Sequence, residues 1–363
     1  MDLLTQGVLG AAIGQVGFQK KLGKQAIFFG FLIGLLPDAD ILIVCMSSNL
    51  MARELIHRGI THSLFFAFFM AIPLGFFLHY INRWCTPQRE ESHNIERFKI
   101  YSLLCFWVLI THPLLDLFTT YGTQLLSPFL SHRFALSAIP IIDPVYTVPL
   151  IISIVVGLCF PRKSFIISSS LLFLTTCYLF LGLVQHNSAI AVARKFCSEN
   201  NINSTRIEAF PLEPTIFAQR LWVQTKDKVY ITEYSTWMKK NKPWISYPTT
   251  DVPTYLADRE EIKVFLWFTD DIFISIPKTS YGSCLLDSRF GSLSFKPLGF
   301  FNVCINDKNV IKKNVDYVHL GLIEDEKDPI NLLPSEQSLR KNLSNYWNMM
   351  KSLCIWTFTH PRD

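Results

Sequence analysis

The sequence contains few charged residues and lacks the cysteine spacing of zinc ribbons and the basic motifs of nucleic-acid-binding proteins. Charged residues make up 17% of its 363 positions, against about 25% in an average soluble protein. Its nine cysteines include no CxxC pair and no metal-ligand spacing, which argues against a zinc ribbon. The net charge is only +5, and the basic residues form no known nucleic-acid motif. We therefore expect no nucleic-acid partner.

The shortage of charge is confined to the first half of the chain. Residues 1–189 contain 12 of the 34 Lys and Arg residues and 9 of the 29 Asp and Glu residues. The same half contains apolar segments close to the ~20 residues that a bilayer requires. We predict an α-helical integral membrane domain of five to six helices over residues 1–185. The predicted segments are residues 3–18, 25–46, 60–81, 101–118, 145–160 and 165–185.

Basic residues also predict the orientation of this domain. They are concentrated in the predicted loops 19–24, 82–99 and 161–164, whereas the opposite loops before residue 145 contain three. The positive-inside rule places the first set of loops in the cytoplasm. The second set of loops and everything after about residue 186 then face outward. If residues 3–18 do not span, the N-terminus changes sides while the later loops keep their alternation.

Residues 186–363 have the composition of a smaller soluble domain of α+β or mostly β type. Alternation of β-branched and aromatic residues predicts strands at 221–234, 263–277 and 283–295, and residues 335–351 could form a closing helix. This half has no glycine-rich phosphate loop and no nucleophile elbow, so it does not indicate its own role. Disulfides among its four cysteines require export. These are Cys197, Cys284, Cys304 and Cys354.

Acidic and histidine residues in the membrane half are the candidates for chemistry. All five aspartates of residues 1–189 lie within or beside apolar segments, where a carboxylate costs about 2.5–3.5 kcal/mol to insert and is therefore a functional candidate. In the alternating topology Asp2, Asp116 and Asp143 share one membrane side with two His clusters. Asp38 and Asp40 lie partway along the second predicted span, nearer that side. Zinc accepts such nitrogen and oxygen ligands. The predicted ligands are Asp2, Asp38, Asp40, His57, His62, His112 and Asp116, with Asp143 beside them.

Each of these residues also has a structural interpretation. Asp2 could cap the first helix, and Asp38 or Asp40 could solvate a helix break at Pro37. His112 and Asp116 are four residues apart and could simply form a hydrogen bond on one helix face. Their joint placement on one membrane side favours the metal site.

Five motifs occur in an order that resembles a known family. They are MDLLTQGVLGAAIG, LLPDAD, HRGITHS, THPLLDLFTTYGTQLLSPF and RFALSAIPIIDPVYTVPL. Over residues 1–160 the chain resembles the YdjM-type membrane-bound metal-dependent hydrolases, although Gln15 stands where many relatives have Glu. That family is distantly similar to zinc-dependent phospholipases C. The resemblance implies metal ligation by the two PDAD aspartates, His57, His62, His112 and Asp116.

The resulting hypothesis is a metal-dependent hydrolase of lipid or lipid-linked substrates. It would cross the bacterial inner membrane several times and have its soluble C-terminal domain on the periplasmic side. One to three divalent ions, with zinc expected, would activate water against a phosphoester or ester bond. Asp38 or Asp143 would act as general base, and Arg58 would hold an anionic group such as phosphate. The alternative is a non-catalytic protein, either a metal- or proton-linked transporter or an assembly factor. The absence of a visible inverted repeat argues against a repeat-type transporter.

Overall fold

Helices make up the N-terminal region, and the described strands follow them. The computed structural model describes residues 1–49, 51–85, 94–160, 164–237, 242–249, 252, 257–279, 282–290, 301–305 and 311–313. The predicted fold class is confirmed, because a helical membrane region precedes a smaller region of antiparallel sheets. The helices are α1 (Leu3–Leu22), α2 (Gln25–Leu35), α3 (Ile41–Met46), α4 (Ala52–Ile56), α5 (Leu64–Cys85), α6 (Asn94–Leu117), α7 (Pro144–Cys159) and α8 (Ser164–Glu199).

Among the described residues, four helical segments are long and apolar enough to cross a membrane. They are Gln25–Met46, Leu64–Trp84, Ile95–Leu117 and Ser164–Glu199, while α7 is a shorter apolar helix. Phe68, Phe69 and Phe173 are each at least 64% exposed on these segments, as expected for side chains that face lipid. α8 has 36 residues and is about 54 Å long, so it extends beyond a hydrocarbon core of about 30 Å. It also continues past the predicted domain boundary at residue 185.

Glycines allow α1 and α2 to pack with their backbones in contact. A Cβ atom on Gly10 would collide with the carbonyl of Gly30, and one on Gly14 would collide with the carbonyl of Ala26. Small residues at helix contacts replace the hydrophobic driving force that is missing between helices in lipid. The contact continues at Gly34, beside Gln6, and brings the end of α2 next to the start of α1.

The described part of the C-terminal region forms two four-stranded antiparallel sheets. Their orders are β1-β2-β3-β4 and β5-β6-β7-β8, and Trp222 and Ile231 of the first sheet share a core with Ile274 and Leu286 of the second. A disulfide joins Cys284 to Cys304, which are register partners on β6 and β7. The strands are β1 (Arg206–Pro211), β2 (Ala218–Gln224), β3 (Lys228–Ser235), β4 (Ile245–Pro248), β5 (Phe273–Thr279), β6 (Gly282–Asp287), β7 (Asn302–Ile305) and β8 (Ile311–Lys313).

One predicted strand is wrong over most of its length. Residues 263–277 begin inside a helix, α9 (Glu260–Thr269), and the strand starts only at Phe273. The helix forms because its first turn carries two glutamates, which favour a helix N-terminus, and Ile262, Phe265 and Phe268 are buried at helical spacing. The other two strand predictions agree better with the structure. β2 and β3 occupy most of residues 221–234, and β6 covers the first part of the segment predicted at 283–295. Residues 291–295, the helix predicted at 335–351 and Cys354 lie outside the described residues.

The sheet region is seated on one end of the helical region. The extension of α8 packs Ala189 and Ala193 against the first sheet. Met51, which precedes α4, is buried among residues of α9 and the second sheet, and Tyr121, which follows α6, packs against Phe268 and Phe301. This end of the helical region is also where the predicted site residues lie.

Candidate metal centre

Two interruptions of helix and the last turns of α6 place the candidate ligands at one end of the bundle. Pro37 begins a 3-10 turn, Pro37–Asp40, that separates α2 from α3 and carries two aspartates. A second 3-10 turn, Ile60–His62, precedes α5. The last turns of α6 add His112 and Asp116, whose spacing of four places them on one helix face.

The two 3-10 turns and the end of α6 bring four of the predicted ligands together. One side-chain atom from each of Asp38, His62, His112 and Asp116 lies within 4.8 Å of the others, and all four residues are buried. The Nε2 atom of His62 is 3.1 Å from Asp38 Oδ1, 3.1 Å from His112 Nε2 and 3.5 Å from Asp116 Oδ2. This group is called the cluster below.

Hydrogen bonding shows which ring nitrogens can bind a cation. His112 Nδ1 lies 2.8 Å from the carbonyl oxygen of Gly34, which can only accept, so Nδ1 carries a proton and the neutral form of the ring has its lone pair on Nε2. His62 Nδ1 lies 3.0 Å from Thr61 Oγ1, whose own hydrogen is donated to Asp40. His62 Nδ1 must therefore donate as well. Burial lowers the pKa of His62 to about 4, which keeps this ring neutral at physiological pH.

The cluster fits a divalent ion. Two Nε2 lone pairs face each other, and Asp38 Oδ2 and Asp116 Oδ2 are buried without a hydrogen-bond partner. A tetrahedral zinc ion with bonds of about 2.0–2.1 Å would hold two nitrogens about 3.3 Å apart, close to the 3.1 Å between these atoms. A zinc ion requires neutral imidazoles and ionised carboxylates as ligands, and two residues of each kind are present here.

Asp40 and His57 form a second group that shares His62 with the cluster. Asp40 Oδ1 lies 2.8 Å from His57 Nδ1, and its Oδ2 accepts hydrogen bonds from the Arg58 backbone and from Thr61. Both oxygens of Asp40 therefore already have partners. Through these contacts Asp40 can fix the orientation of the His57 and His62 rings. Asp40, His57 and His62 could also hold a second ion.

Arg58 lies at the edge of the cluster in an unusual backbone conformation. Its φ of 58° is in the left-handed region, which a non-glycine residue seldom adopts. Its NH1 donates to Thr119 Oγ1 at 2.7 Å, and its NH2 is 3.3 Å from Asp116 Oδ1. The guanidinium stacks on Tyr121 at 4.7 Å, and its Nε is buried without a hydrogen-bond partner among the residues that the structure describes.

Two predicted site residues lie outside both groups. Asp2 caps α1 by accepting from the Thr5 backbone at 3.0 Å. Asp143 caps α7 through the Val145 backbone and also accepts from Tyr178. Burial raises the pKa of Asp143 to about 6. Both positions match the helix-capping interpretation, and the structure does not bring either residue to the cluster.

Sequence reasoning missed several residues that support the cluster. Gln6 donates to Asp116 Oδ1 at 2.9 Å and to the His112 carbonyl at 3.2 Å, and the Met1 amino group forms an ion pair with Asp116. Arg133 donates to the carbonyls of Glu54 and Gly122. Gln6 could have been noticed as an amide within an apolar segment, whereas the role of Arg133 depends on tertiary structure.

Comparisons with known proteins match the helical region and part of the sheets. The family model described as YdjM inner membrane protein matches residues 1–189, which include every residue of both groups. A Bacillus subtilis (strain 168) protein described as uncharacterized protein YfhP is 26% identical over 286 residues, covering 74% of this chain and 80% of the relative. No solved structure matches the chain.

Proposed function

This chain belongs to the YdjM inner membrane protein family, and we propose that it is a metal-dependent hydrolase of lipid or lipid-linked phosphoesters or esters. The observation that carries the proposal is the meeting of two imidazoles and two carboxylates at one buried point, where His62 Nε2 lies 3.1 Å from His112 Nε2, 3.1 Å from Asp38 Oδ1 and 3.5 Å from Asp116 Oδ2. Zinc is the metal that we assign, because neutral imidazole and carboxylate are among its usual ligands.

The proposed ligands are Asp38, His62, His112 and Asp116. A zinc ion bound there would lower the pKa of a coordinated water to about 7 and polarise the bond under attack. Asp40 would orient the His62 ring through Thr61 and by its own carboxylate, 3.5 Å from Nδ1. Up to two further ions remain part of the proposal, with Asp40 as the nearest donor for one of them.

His57 is the residue that we propose as proton acceptor, in place of Asp38 or Asp143. Its Nδ1 pairs with Asp40 Oδ1 at 2.8 Å, and its side chain is 16% exposed, more than any residue of the cluster. A carboxylate on one ring nitrogen fixes the orientation of the other and stabilises the protonated ring. Asp38 is assigned to metal binding and Asp143 to helix capping.

Arg58 is proposed to hold the anionic group of the substrate. Its position beside Asp116 places a permanent positive charge next to the cluster. The unpartnered Nε donor is free for a substrate oxygen, and a planar guanidinium suits phosphate oxygens better than an ammonium group does.

The same proposal places the sheet region in the periplasm. The basic loops of the helical region support this orientation. The disulfide between Cys284 and Cys304 also supports it, because disulfides persist in the bacterial periplasm and are rare in the cytosol.

Metal analysis combined with turnover tests the function. Detergent-purified protein is assayed for metal content and for hydrolysis of bis-p-nitrophenyl phosphate and of phosphatidylglycerol in vesicles, beside Asp116→Ala and the control His79→Ala. We expect bound metal and hydrolysis in the wild type and the control, and loss of both in Asp116→Ala. Tightly bound metal without hydrolysis of either substrate would favour the non-catalytic transporter or assembly factor. Absence of bound metal in the wild type would refute the proposed hydrolase.

A further inference from the structure

We propose that the substrate enters the cluster from the bilayer, between α3 and Ile60, with one hydrocarbon chain of the lipid resting on α3. This inference rests on the proposed function, because it supplies the route by which a lipid headgroup reaches the metal centre. The residues Leu42, Ile43 and Ile60 are called the mouth below.

The aqueous side of the cluster is covered by the sheet region. The Tyr121 ring lies 5.5 Å from the His57 ring and packs at 5.0 Å on Phe268 and 5.9 Å on Phe301. Arg133 stacks on Tyr121 and on Trp267, and Trp267 Nε1 donates to the Ser131 carbonyl at 3.2 Å. A substrate arriving from water would have to displace this packed layer of aromatic and arginine side chains.

The cavity between the two regions does not offer another entrance. It has a volume of about 420 Å³ and is lined by Arg133, Trp267 and Arg289 among others. Within the described part of the chain, none of the four cluster residues lines it. Its guanidinium groups are engaged, since Arg206 pairs with Asp270, and Arg289 pairs with Asp287.

The exposed surface beside the site is apolar. α3 begins immediately after Asp40, has the sequence ILIVCM, and buries none of its six residues. Leu42 is 65% exposed, Ile43 57% and Ile60 56%. Ile60 lies between the two histidines of the HRGITHS motif, so this apolar surface reaches the backbone segment that carries His57 and His62.

The apolar surface of α3 is continuous with the lipid-facing surface of the helices, which indicates that a lipid hydrocarbon chain lies on it. α3 is the end of the candidate span Gln25–Met46, so its exposed side chains continue the surface that faces hydrocarbon. Phe65 and Phe129 pack with their ring centres 4.9 Å apart and are themselves exposed, which extends the apolar surface beyond Ile60. Contact of a lipid hydrocarbon chain with such an apolar surface is favourable. The headgroup of the same lipid would lie at the cluster, beside the proposed metal ligands and Arg58.

A matched pair of double variants tests the mouth. Leu42→Ser with Ile43→Ser removes two apolar contacts beside the site. Ile166→Ser with Leu174→Ser makes the same chemical change on α8, where the two side chains are 69% and 58% exposed. The measured quantity is the rate on phosphatidylglycerol vesicles divided by the rate on bis-p-nitrophenyl phosphate, at equal metal content. We expect this ratio to fall about tenfold in the α3 variant and to stay unchanged in the α8 variant.

A second measurement does not depend on catalysis. A bimane label on Ile43→Cys, with the exposed native cysteines Cys45, Cys159 and Cys177 changed to Ser, is expected to be quenched by lipids with brominated chains. The same label on Trp237→Cys, in the sheet region, should not be quenched. An unchanged rate ratio in the α3 variant, or an unquenched label at position 43, would overturn the inference. If the wild type hydrolyses neither substrate, the proposed function fails, and quenching alone decides whether hydrocarbon contacts the mouth.

Discussion

The Nε2 atoms of His62 and His112 lie 3.1 Å apart, and the hydrogen-bond partners of both rings leave a lone pair on each. Two neutral imidazoles at this distance repel unless a cation or a shared proton lies between them. Asp38 and Asp116 add negative charge at the same point, so a divalent cation relieves the repulsion among all four groups. The first two predictions follow from this arrangement.

Loss of one ligand from the end of α6 should remove the metal. For His112→Ala and Asp116→Ala we expect metal affinity to fall more than about 100-fold, since even an outer hydrogen-bond partner of a ligand contributes 10–100-fold. Metal content by mass spectrometry and hydrolysis should fall together, while membrane insertion is retained. His79→Ala, on α5, serves as the control. If both α6 variants insert normally and retain full metal, the pair is a structural hydrogen bond.

Asp40 and Asp38 should differ in their effect on the metal. Asp40→Asn weakens the contacts that orient His57 and His62, and we expect a loss of metal affinity of about 10–100-fold. Asp38→Asn replaces a proposed ligand oxygen and should cost more. Titration of metal-free protein with zinc measures both affinities. Equal losses would instead indicate that Asp40 is itself a ligand.

Arg58→Lys should separate substrate binding from metal binding. The substitution keeps the positive charge and loses the planar donor array, so KM for an anionic diester should rise about tenfold. Metal content should not change, because Arg58 contributes no ligand atom. Arg53→Lys is the control, since Arg53 is a nearby exposed arginine outside both groups. A normal KM in Arg58→Lys would exclude the proposed role.

Asp143 should behave as a helix cap. Asp143→Ala should lower stability by about 1 kcal/mol with unchanged metal content, whereas Asp143→Asn keeps a capping oxygen. Because the folded-state pKa of about 6 exceeds the ordinary value, protonation stabilises the folded protein as the pH falls through this range. The Asn variant should lose this dependence, which thermal unfolding between pH 7 and pH 4 would show. Loss of hydrolysis in Asp143→Asn at full metal content would restore Asp143 as a general-base candidate.

Orientation can be measured with two exposed tryptophans at opposite ends of the protein. Trp237 in the sheet region is 62% exposed, and Trp84 at the end of α5 is 80% exposed. With the exposed native cysteines Cys45, Cys159 and Cys177 changed to Ser, we expect an impermeant maleimide to label Trp237→Cys in intact spheroplasts and to label Trp84→Cys only after lysis. The reverse pattern would place the sheet region in the cytoplasm.

The sequence predicted the elements that depend on local spacing. The membrane helices, and the placement of His112 with Asp116 on one helix face, follow from apolar runs and from a four-residue interval. Asp2 and Asp143 carry the same charge in similar settings, and only tertiary structure shows that their carboxylates cap helices. α9 was mistaken for a strand because its β-branched and aromatic residues outweighed the two glutamates at its start. The covering of the site by Tyr121 and Phe268 joins distant parts of the chain, and no local pattern signals it.

The length of the continuous helix α8 determines how the sheet region is rotated about the helix axis relative to the bundle. Its 36 residues run from the far end of the bundle to the first sheet, and each residue advances an α-helix by 1.5 Å and about 100°. Deleting one residue beyond the bilayer would therefore turn the attached sheet by more than a quarter of a revolution above the helices. Inserting seven residues would almost restore the angle and raise the sheet by about 10 Å. The distance and the angle of the sheet above the bundle are thus encoded together in a single residue count.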